Sequence, residues 1–128
     1  MEAGFALFAN AEQYDVSLIP TGPANAIVSK WVVENVAQER LDCVVFVSPT
    51  DIEAGGPIIG SGSDATDAII AFRDDASFNV DSSYAVLDSG YKYQYDRYAD
   101  KYRWVPLNGD IAGLCARTDY TNDPWWSP

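Results

Sequence analysis

The chain has 128 residues, 48% of them hydrophobic and 21% charged, so its composition is that of a folded globular protein with one core. Nineteen acidic and eight basic side chains leave a formal net charge of -11, which disfavours contact with nucleic-acid phosphates and with anionic membranes. No apolar run approaches the roughly 20 residues of a membrane span, and no basic stretch precedes an apolar N-terminal segment, so we expect synthesis in the cytoplasm and no membrane or nucleic-acid partner.

The first third of the chain predicts two strands joined by a helix. Residues 1–10 are typical of a short helix, and the apolar run Val16–Ile19 predicts a strand that ends at Pro20. Thr21-Gly22-Pro23 then favours a helix start, and the spacing predicts a helix over residues 24–40. Its predicted buried stripe consists of Val28, Trp31, Val32 and Val36. The valine-rich run 41–47 has the pattern of a strand covered on both faces, so we expect it to pair in parallel with Val16–Ile19.

The rest of the chain continues the alternation of helices and strands and then predicts a hairpin and a last helix. A loop over residues 49–62 leads to a helix over 63–75 with Ser63 as its N-cap, and Tyr84–Leu87 predicts a third strand. A two-stranded hairpin follows, and a last helix opens at Asn108. The predicted fold is therefore α/β, a single domain over 1–128 in which helices flank a largely parallel sheet and an aromatic β-hairpin lies near the C-terminus.

The hairpin carries the most unusual pattern in the chain. Tyr91, Tyr93 and Tyr95 alternate with polar residues, which is the period of a strand and predicts that the three rings share one face. Trp104 lies in the strand that follows. Such a face can pair its aromatics across the strands, stack against carbohydrate, or anchor a protein interface. A carbohydrate-binding module is one alternative function at this point.

The residues that carry chemistry are few. The absence of histidine excludes Ser-His and Cys-His nucleophilic catalysis and the usual zinc sites. The string from Gly60 to Ala65 has the letters of a dinucleotide fingerprint but does not follow its strand directly, so we expect no cofactor. A second alternative is a small carboxylate-dependent hydrolase. Its candidate pairs are Asp51/Glu53, Asp64/Asp67 and Asp74/Asp75.

The two cysteines have no metal-ligand spacing. Cys43 lies in a predicted buried strand, and Cys115 lies on the apolar face of the last predicted helix. We therefore expect both thiols to be buried, reduced and free of metal.

Several ordered strings resemble the tail sheath protein of contractile-tailed bacteriophages, the T-even-like group in particular. The strongest are Gly90–Asp96, Arg103–Leu107, Asp110–Asp119 and the closing Trp126–Pro128. Weaker similarity reaches back through Asp42–Val45 towards the N-terminus.

This resemblance implies a structural subunit and not an enzyme. It implies a core fragment of a virion protein that surrounds the inner tail tube and contracts to drive DNA delivery. Its partners would be other sheath subunits and the tube protein. Sheath subunits of this family are several times longer, so we expect a fragment that alone is a monomer or weak oligomer. The candidate subunit-interface residues are Tyr91, Tyr93, Tyr95, Trp104, Arg117 and Asp119.

Overall fold

The computed structural model describes residues 1–60 and 62–128, which form a three-stranded sheet, a separate two-stranded hairpin and flanking helices. In chain order the elements are α1 (Glu2–Ala6), β1 (Leu18–Pro20), α2 (Ala26–Val32), a π-helical segment (Val33–Ala37), α3 (Gln38–Arg40), β2 (Val44–Val47), α4 (Ser63–Asp74), β3 (Ala85–Leu87), β4 (Tyr91–Asp96), β5 (Lys101–Pro106) and α5 (Asn108–Thr121). The predicted α/β fold is confirmed.

The sheet has the order β1-β2-β3, and both of its pairings are parallel. Leu18 is in register with Val44, and Val45 is in register with Ala85. The central strand β2 is buried because its valines and phenylalanine are covered by helices as well as by neighbouring strands. The prediction that the first two apolar runs are parallel neighbours joined by a helix is confirmed.

The helix between β1 and β2 begins later than the sequence predicts. Asn25 is its N-cap, and the Asn25 side chain accepts a hydrogen bond of 3.0 Å from the backbone N–H of Val28. The predicted start at residue 24, signalled by Thr21-Gly22-Pro23, is two residues too early, because the side chain that caps the first turn is that of Asn25. The helix runs through the π-helical segment and ends at Leu41, whose φ of 62° is left-handed.

The core lies between this helix, β2 and α4. Val32, Val33 and Val36 are fully buried, as are Val45 and Phe72. Two residues of the predicted stripe, Val28 and Trp31, are only partly buried and pack at the edge of the core. The wider turn of the π-helical segment brings Val33 inward as well.

Arg40 connects the N-terminal segment to the C-terminal end of the helix that joins β1 and β2. Its guanidinium is buried and forms two hydrogen bonds with Asp42, of 2.8 and 3.0 Å. It also donates to the backbone carbonyls of Phe8 and Tyr14, each at 2.9 Å. The sequence suggested only that Arg40 ends a helix, because the carbonyls that it binds belong to a segment 26–32 residues away.

The helix α4 covers the other side of the core with Phe72, which stacks on Phe78 with ring centroids 4.8 Å apart. Ser63 is predicted as the N-cap of α4, but it is the first residue of the helix. The N-cap is Gly62, whose φ is 76°. The predicted loop over 49–62 and the string from Gly60 to Ala65 both include Ser61, which lies outside the described residues. Within residues 1–60 and 62–128, the helices lack the combined length and apolar content that crossing a bilayer requires.

Candidate assembly surface

The hairpin β4–β5 is built from residue types that favour strands and from a tight polar turn. Tyr93 lies opposite Trp104 and Tyr95 lies opposite Tyr102 in an antiparallel register. The carboxylate of Asp96 closes the turn by accepting from the N–H groups of Tyr98, at 3.0 Å, and of Ala99, at 3.2 Å. These two backbone bonds lower the pKa of Asp96.

One face of the hairpin is a continuous aromatic surface, as the alternation predicts. The Tyr93 ring stacks on Tyr102 and tilts against Trp104, with both centroid distances at 5.2 Å. Tyr95 tilts against Tyr102 at the same distance and donates its hydroxyl to Asp100. The four rings remain 37–60% exposed. We name Tyr93, Tyr95, Tyr102 and Trp104 the aromatic face.

Tyr91 differs from the other two tyrosines of the ladder. It is half-buried at the base of the hairpin, opposite Pro106. Burial raises the pKa of its hydroxyl, and the nearby Asp88 carboxyl adds to the effect. Tyr91 therefore helps to seat the hairpin and presents less surface than the aromatic face.

The opposite face of the hairpin is polar. Arg103 forms an ion pair of 3.0 Å with Asp96 in the neighbouring strand. Lys92 forms one of 2.6 Å with Asp110, which lies in the first turn of α5. This second pair connects the hairpin to the last helix, and the carboxylate also suits the positive end of that helix.

A buried polar network joins α5 to the sheet. Its members Thr21, Ser48 and Asp88 each follow directly after one of the three parallel strands. The backbone N–H of Asn108 donates to the Ser48 hydroxyl at 3.0 Å, and the Asn108 amide donates to the Gly22 carbonyl at 2.8 Å. The first turn of α5 thus occupies the carboxyl edge of the sheet, the edge at which ligands bind in many α/β proteins.

The sequence predicts only that Asn108 opens the last helix. The structure places its side chain inward, with the residue 1% exposed, because buried partners are available at the strand ends. A signal was present in the sequence. Two of the predicted core strands are followed at once by Ser48 and Asp88, and the first is followed by Pro20 and then Thr21. Parallel strands bring such polar residues together at one edge of the sheet.

Asp88 links this network to the hairpin. Its carboxylate accepts from the Ser48 hydroxyl at 2.6 Å and from the backbone N–H of Gly90 at 2.7 Å. Burial raises the pKa of Asp88, and these two bonds only partly oppose that effect. Gly90 has a φ of 110°, so the entry to the hairpin requires a glycine.

The last helix exposes most of its surface. Ala112 is buried, whereas Leu114 is 50% exposed. Arg117 and Asp119 are exposed near its C-terminal end. Residues two positions apart on a helix point to different sides, so Arg117 and Asp119 do not face each other.

Three of the other predicted carboxylates, Asp51, Glu53 and Asp75, line one open cavity. Asp64 and Asp67 are exposed on α4, and Asp74 forms an ion pair of 2.7 Å with its neighbour Arg73. Asp51 and Glu53 lie on a loop, and Asp51 accepts from the Glu53 N–H at 2.9 Å. No group of three or more potential metal ligands occurs within residues 1–60 and 62–128.

The thiols differ from each other. Cys43 is buried and reduced, as expected, and burial raises the pKa of its thiol. Cys115 is also reduced but only partly buried, so the prediction of a fully buried Cys115 is wrong. The apolar spacing of α5 suggested a covered face, but the sheet covers only its first turns.

The chain matches the family described as the phage tail sheath protein central domain over residues 6–128. It is 43% identical to the tail sheath protein of Vibrio phage KVP40 over 129 residues, which cover 93% of this chain and 18% of that protein. It is 40% identical to the tail sheath protein of Enterobacteria phage T4, with 94% of this chain and 20% of that protein covered. The tail sheath protein of Salmonella phage ViI is 33% identical, with 85% and 16% covered.

The chain spans about a fifth of the length of these relatives. The family match covers nearly all of its residues, including both strands of the hairpin and the whole of α5. The resemblance found in the ordered strings of the hairpin and last helix is therefore confirmed. On this evidence, the chain belongs to the phage tail sheath protein family, through the central domain of that family.

Proposed function

We propose that this chain is part of a structural subunit of a contractile phage tail sheath. The observation that carries the proposal is the family match over residues 6–128, supported by three relatives named tail sheath protein. The subunit surrounds the inner tail tube within the virion and assembles with other copies of itself. Contraction of the sheath drives the tube through the host envelope for DNA delivery.

In this proposal the 128 residues form one folded unit within the central domain of a longer subunit. The supporting features are a single hydrophobic core and relatives about five times as long as the chain. The contact with the tube protein belongs to the whole subunit.

The proposed work of the subunit is mechanical and not catalytic. Its energy comes from repacking of subunit interfaces, which requires exposed surfaces that can exchange partners. The chain lacks histidine, and most of its carboxylate residues are exposed. These properties suit a structural role.

Two surfaces are proposed to meet neighbouring subunits. The first is the aromatic face, because large exposed rings held in fixed geometry supply anchors at protein interfaces. The second is the exposed end of α5. Of the candidate interface residues, Tyr91 supports the hairpin from below, and the contacts are made by Tyr93, Tyr95, Trp104, Arg117 and Asp119.

The test uses the full-length subunit that contains this chain. Tyr93→Ala removes the ring that contacts both Tyr102 and Trp104 on the aromatic face. Because Tyr93 is 60% exposed, we expect the variant to fold, and we expect fewer sheath-like tubes by negative-stain microscopy. Ile27→Ala is the matched control, since Ile27 is also 60% exposed but lies on α2 away from the hairpin.

The outcomes separate the alternatives. Loss of folding by circular dichroism would assign Tyr93 to the core and remove the aromatic face from the proposed interfaces. Normal tube formation by a folded Tyr93→Ala variant would do the same. Failure of the unmodified full-length subunit to form rings or tubes under any assembly condition would overturn the sheath function itself.

A further inference from the structure

The buried asparagine that attaches α5 to the sheet is followed by a glycine. Asn108 and Gly109 are the first two residues of α5, and no other asparagine in the chain precedes a glycine. Asn-Gly is the sequence in which an asparagine loses its side-chain amide most readily, because glycine places no side chain beside the backbone nitrogen that attacks the amide. The pair therefore carries a chemistry that the proposed function does not use.

The reaction is a hydrolysis that passes through a cyclic imide. Solvent hydroxide removes the proton of the Gly109 backbone nitrogen, which then attacks the Cγ carbon of Asn108. The bond between Cγ and Nδ2 breaks, and the amide nitrogen takes a proton from water and leaves as ammonia. Water then opens the five-membered ring at either of its carbonyl carbons. The product is aspartate, or isoaspartate in which the backbone passes through the former side chain, and water is the only other reactant.

The contacts of Asn108 oppose this reaction, and we call them the α5 joint. The residue is 1% exposed, which keeps hydroxide and water away from it. Its amide donates to the Gly22 carbonyl at 2.8 Å, and its backbone N–H donates to the Ser48 hydroxyl at 3.0 Å. The helical dihedral angles at the start of α5 also hold the Gly109 nitrogen out of line with Cγ. Ring closure therefore requires the first turn of α5 to leave the sheet.

The glycine of this pair is not required by the fold around it. Gly109 lies within a helix, where alanine is favoured over glycine. A Cβ atom added to Gly109 would meet no described atom within 4 Å. Gly109→Ala should therefore preserve the α5 joint while it slows ring closure, so this variant separates the chemistry of the pair from the stability of the fold.

We propose that Asn108 is a deamidation site whose reaction is gated by the α5 joint. The asparagine persists while the joint is closed, and it reacts only when α5 separates from the sheet. The reaction is irreversible. Its product places a carboxylate against the Gly22 carbonyl, or an additional backbone carbon in the first turn of α5, so the joint cannot close as before. The modified fraction therefore records how often the joint has opened, and this inference is independent of the proposed sheath function.

The test compares the folded 128-residue chain with the same chain unfolded in guanidinium chloride, both at mildly alkaline pH. Trypsin releases residues 104–117 as one peptide in which Asn108 is the only asparagine, so mass spectrometry measures its conversion to aspartate and isoaspartate. Conversion should be at least about 100-fold slower in the folded chain, because only the open fraction reacts. Gly109→Ala should slow conversion of the unfolded chain by about tenfold or more, because its methyl group crowds the attacking nitrogen.

Two further variants locate the gate. Ser48→Ala removes the acceptor of the Asn108 N–H and changes neither reacting residue, so it should raise the conversion rate of the folded chain by about fivefold or more. Val36→Ala weakens the core within the π-helical segment and should change that rate by less than about twofold, because opening of the joint is local. Circular dichroism verifies folding, and Thr21→Val, which removes the other hydroxyl near the Asn108 amide, replaces Ser48→Ala if that variant does not fold.

Three results would overturn the inference. The first is conversion of the folded chain as fast as that of the unfolded chain, which would show that the joint does not protect Asn108. The second is an unfolded Gly109→Ala variant that converts as fast as the unfolded parent, which would exclude ring closure at this pair. The third is a rate increase in Val36→Ala that matches the increase in the joint variant, which would assign the gate to unfolding of the whole domain.

Discussion

Replacing Asn108 by alanine should weaken the joint between α5 and the sheet. The substitution removes the amide that donates to the Gly22 carbonyl at 2.8 Å and, more weakly, to the Thr21 hydroxyl at 3.4 Å. The backbone N–H of residue 108 retains its bond to Ser48, because that bond does not involve the side chain. The loss is therefore one good side-chain hydrogen bond, one poor one and the packing of a buried amide.

The expected cost follows from these contacts. A net contribution of about 1 kcal/mol for the good bond, with a further 1–2 kcal/mol for partners left without a donor, gives a loss of roughly 2–3 kcal/mol in the free energy of unfolding. Urea denaturation followed by circular dichroism measures this loss. Amide hydrogen exchange should accelerate in α5 more than in β2, because the helix loses its attachment while the sheet retains its own hydrogen bonds.

Two further variants make the reasoning refutable. Asn122→Ala changes an exposed asparagine just after the same helix and should stay within about 0.5 kcal/mol of the parent. Asn108→Asp places a carboxylate oxygen against the Gly22 carbonyl, so it should be less stable at pH 7 than at pH 4, where the protonated acid can donate. An Asn108→Ala variant that matches Asn122→Ala in stability would refute the role of the buried amide.

Three other predictions follow from the same region. Gly90→Ala should lower the free energy of unfolding by about 1–3 kcal/mol, because φ is 110° at this position. Gly113→Ala should raise it by up to about 1 kcal/mol, because alanine is favoured over glycine within a helix such as α5. Urea titration measures both changes. Burial raises the pKa of Asp88 above its ordinary 3.8, so the folded chain binds more protons than the unfolded chain just above that pH, and stability falls as pH rises through this window. Asp88→Asn should abolish that part of the pH dependence, and an unchanged slope would contradict it. Cys115 should react with a bulky thiol reagent faster than Cys43, and equal rates would contradict their difference in burial.

The sequence predicts the parallel sheet and the hairpin because both depend on local periodicity. The valine-rich run predicts β2 and the tyrosine alternation predicts β4, and neither prediction depends on residues far away in the sequence. The aromatic face follows directly from that alternation. The exposed fraction of these rings cannot be predicted from the alternation, because it depends on whether another element covers them.

The contacts missed by the sequence reasoning are those made across the chain. Arg40 is a helix-end residue by pattern, but its role depends on carbonyls near the N-terminus. Asn108 is a helix-start residue by pattern, but its inward side chain depends on Gly22 and Thr21, more than 80 residues earlier. Which interactions of this kind form is decided by the packing of the whole domain, so local propensity cannot reveal them.

The position of α5 at the carboxyl edge of the sheet has a mechanical consequence. A pull on the hairpin reaches the end of the central strand at Ser48, whose hydroxyl accepts from the Asn108 N–H at 3.0 Å. The Leu107 N–H to Gly90 carbonyl bond of 3.0 Å holds the base of the hairpin closed. The Lys92–Asp110 ion pair adds a contact between the hairpin and the first turn of α5. Many α/β proteins leave this edge of the sheet open for a ligand, but here the first turn of α5 occupies it. A force on the hairpin therefore acts on β2, the most deeply buried strand of the fold.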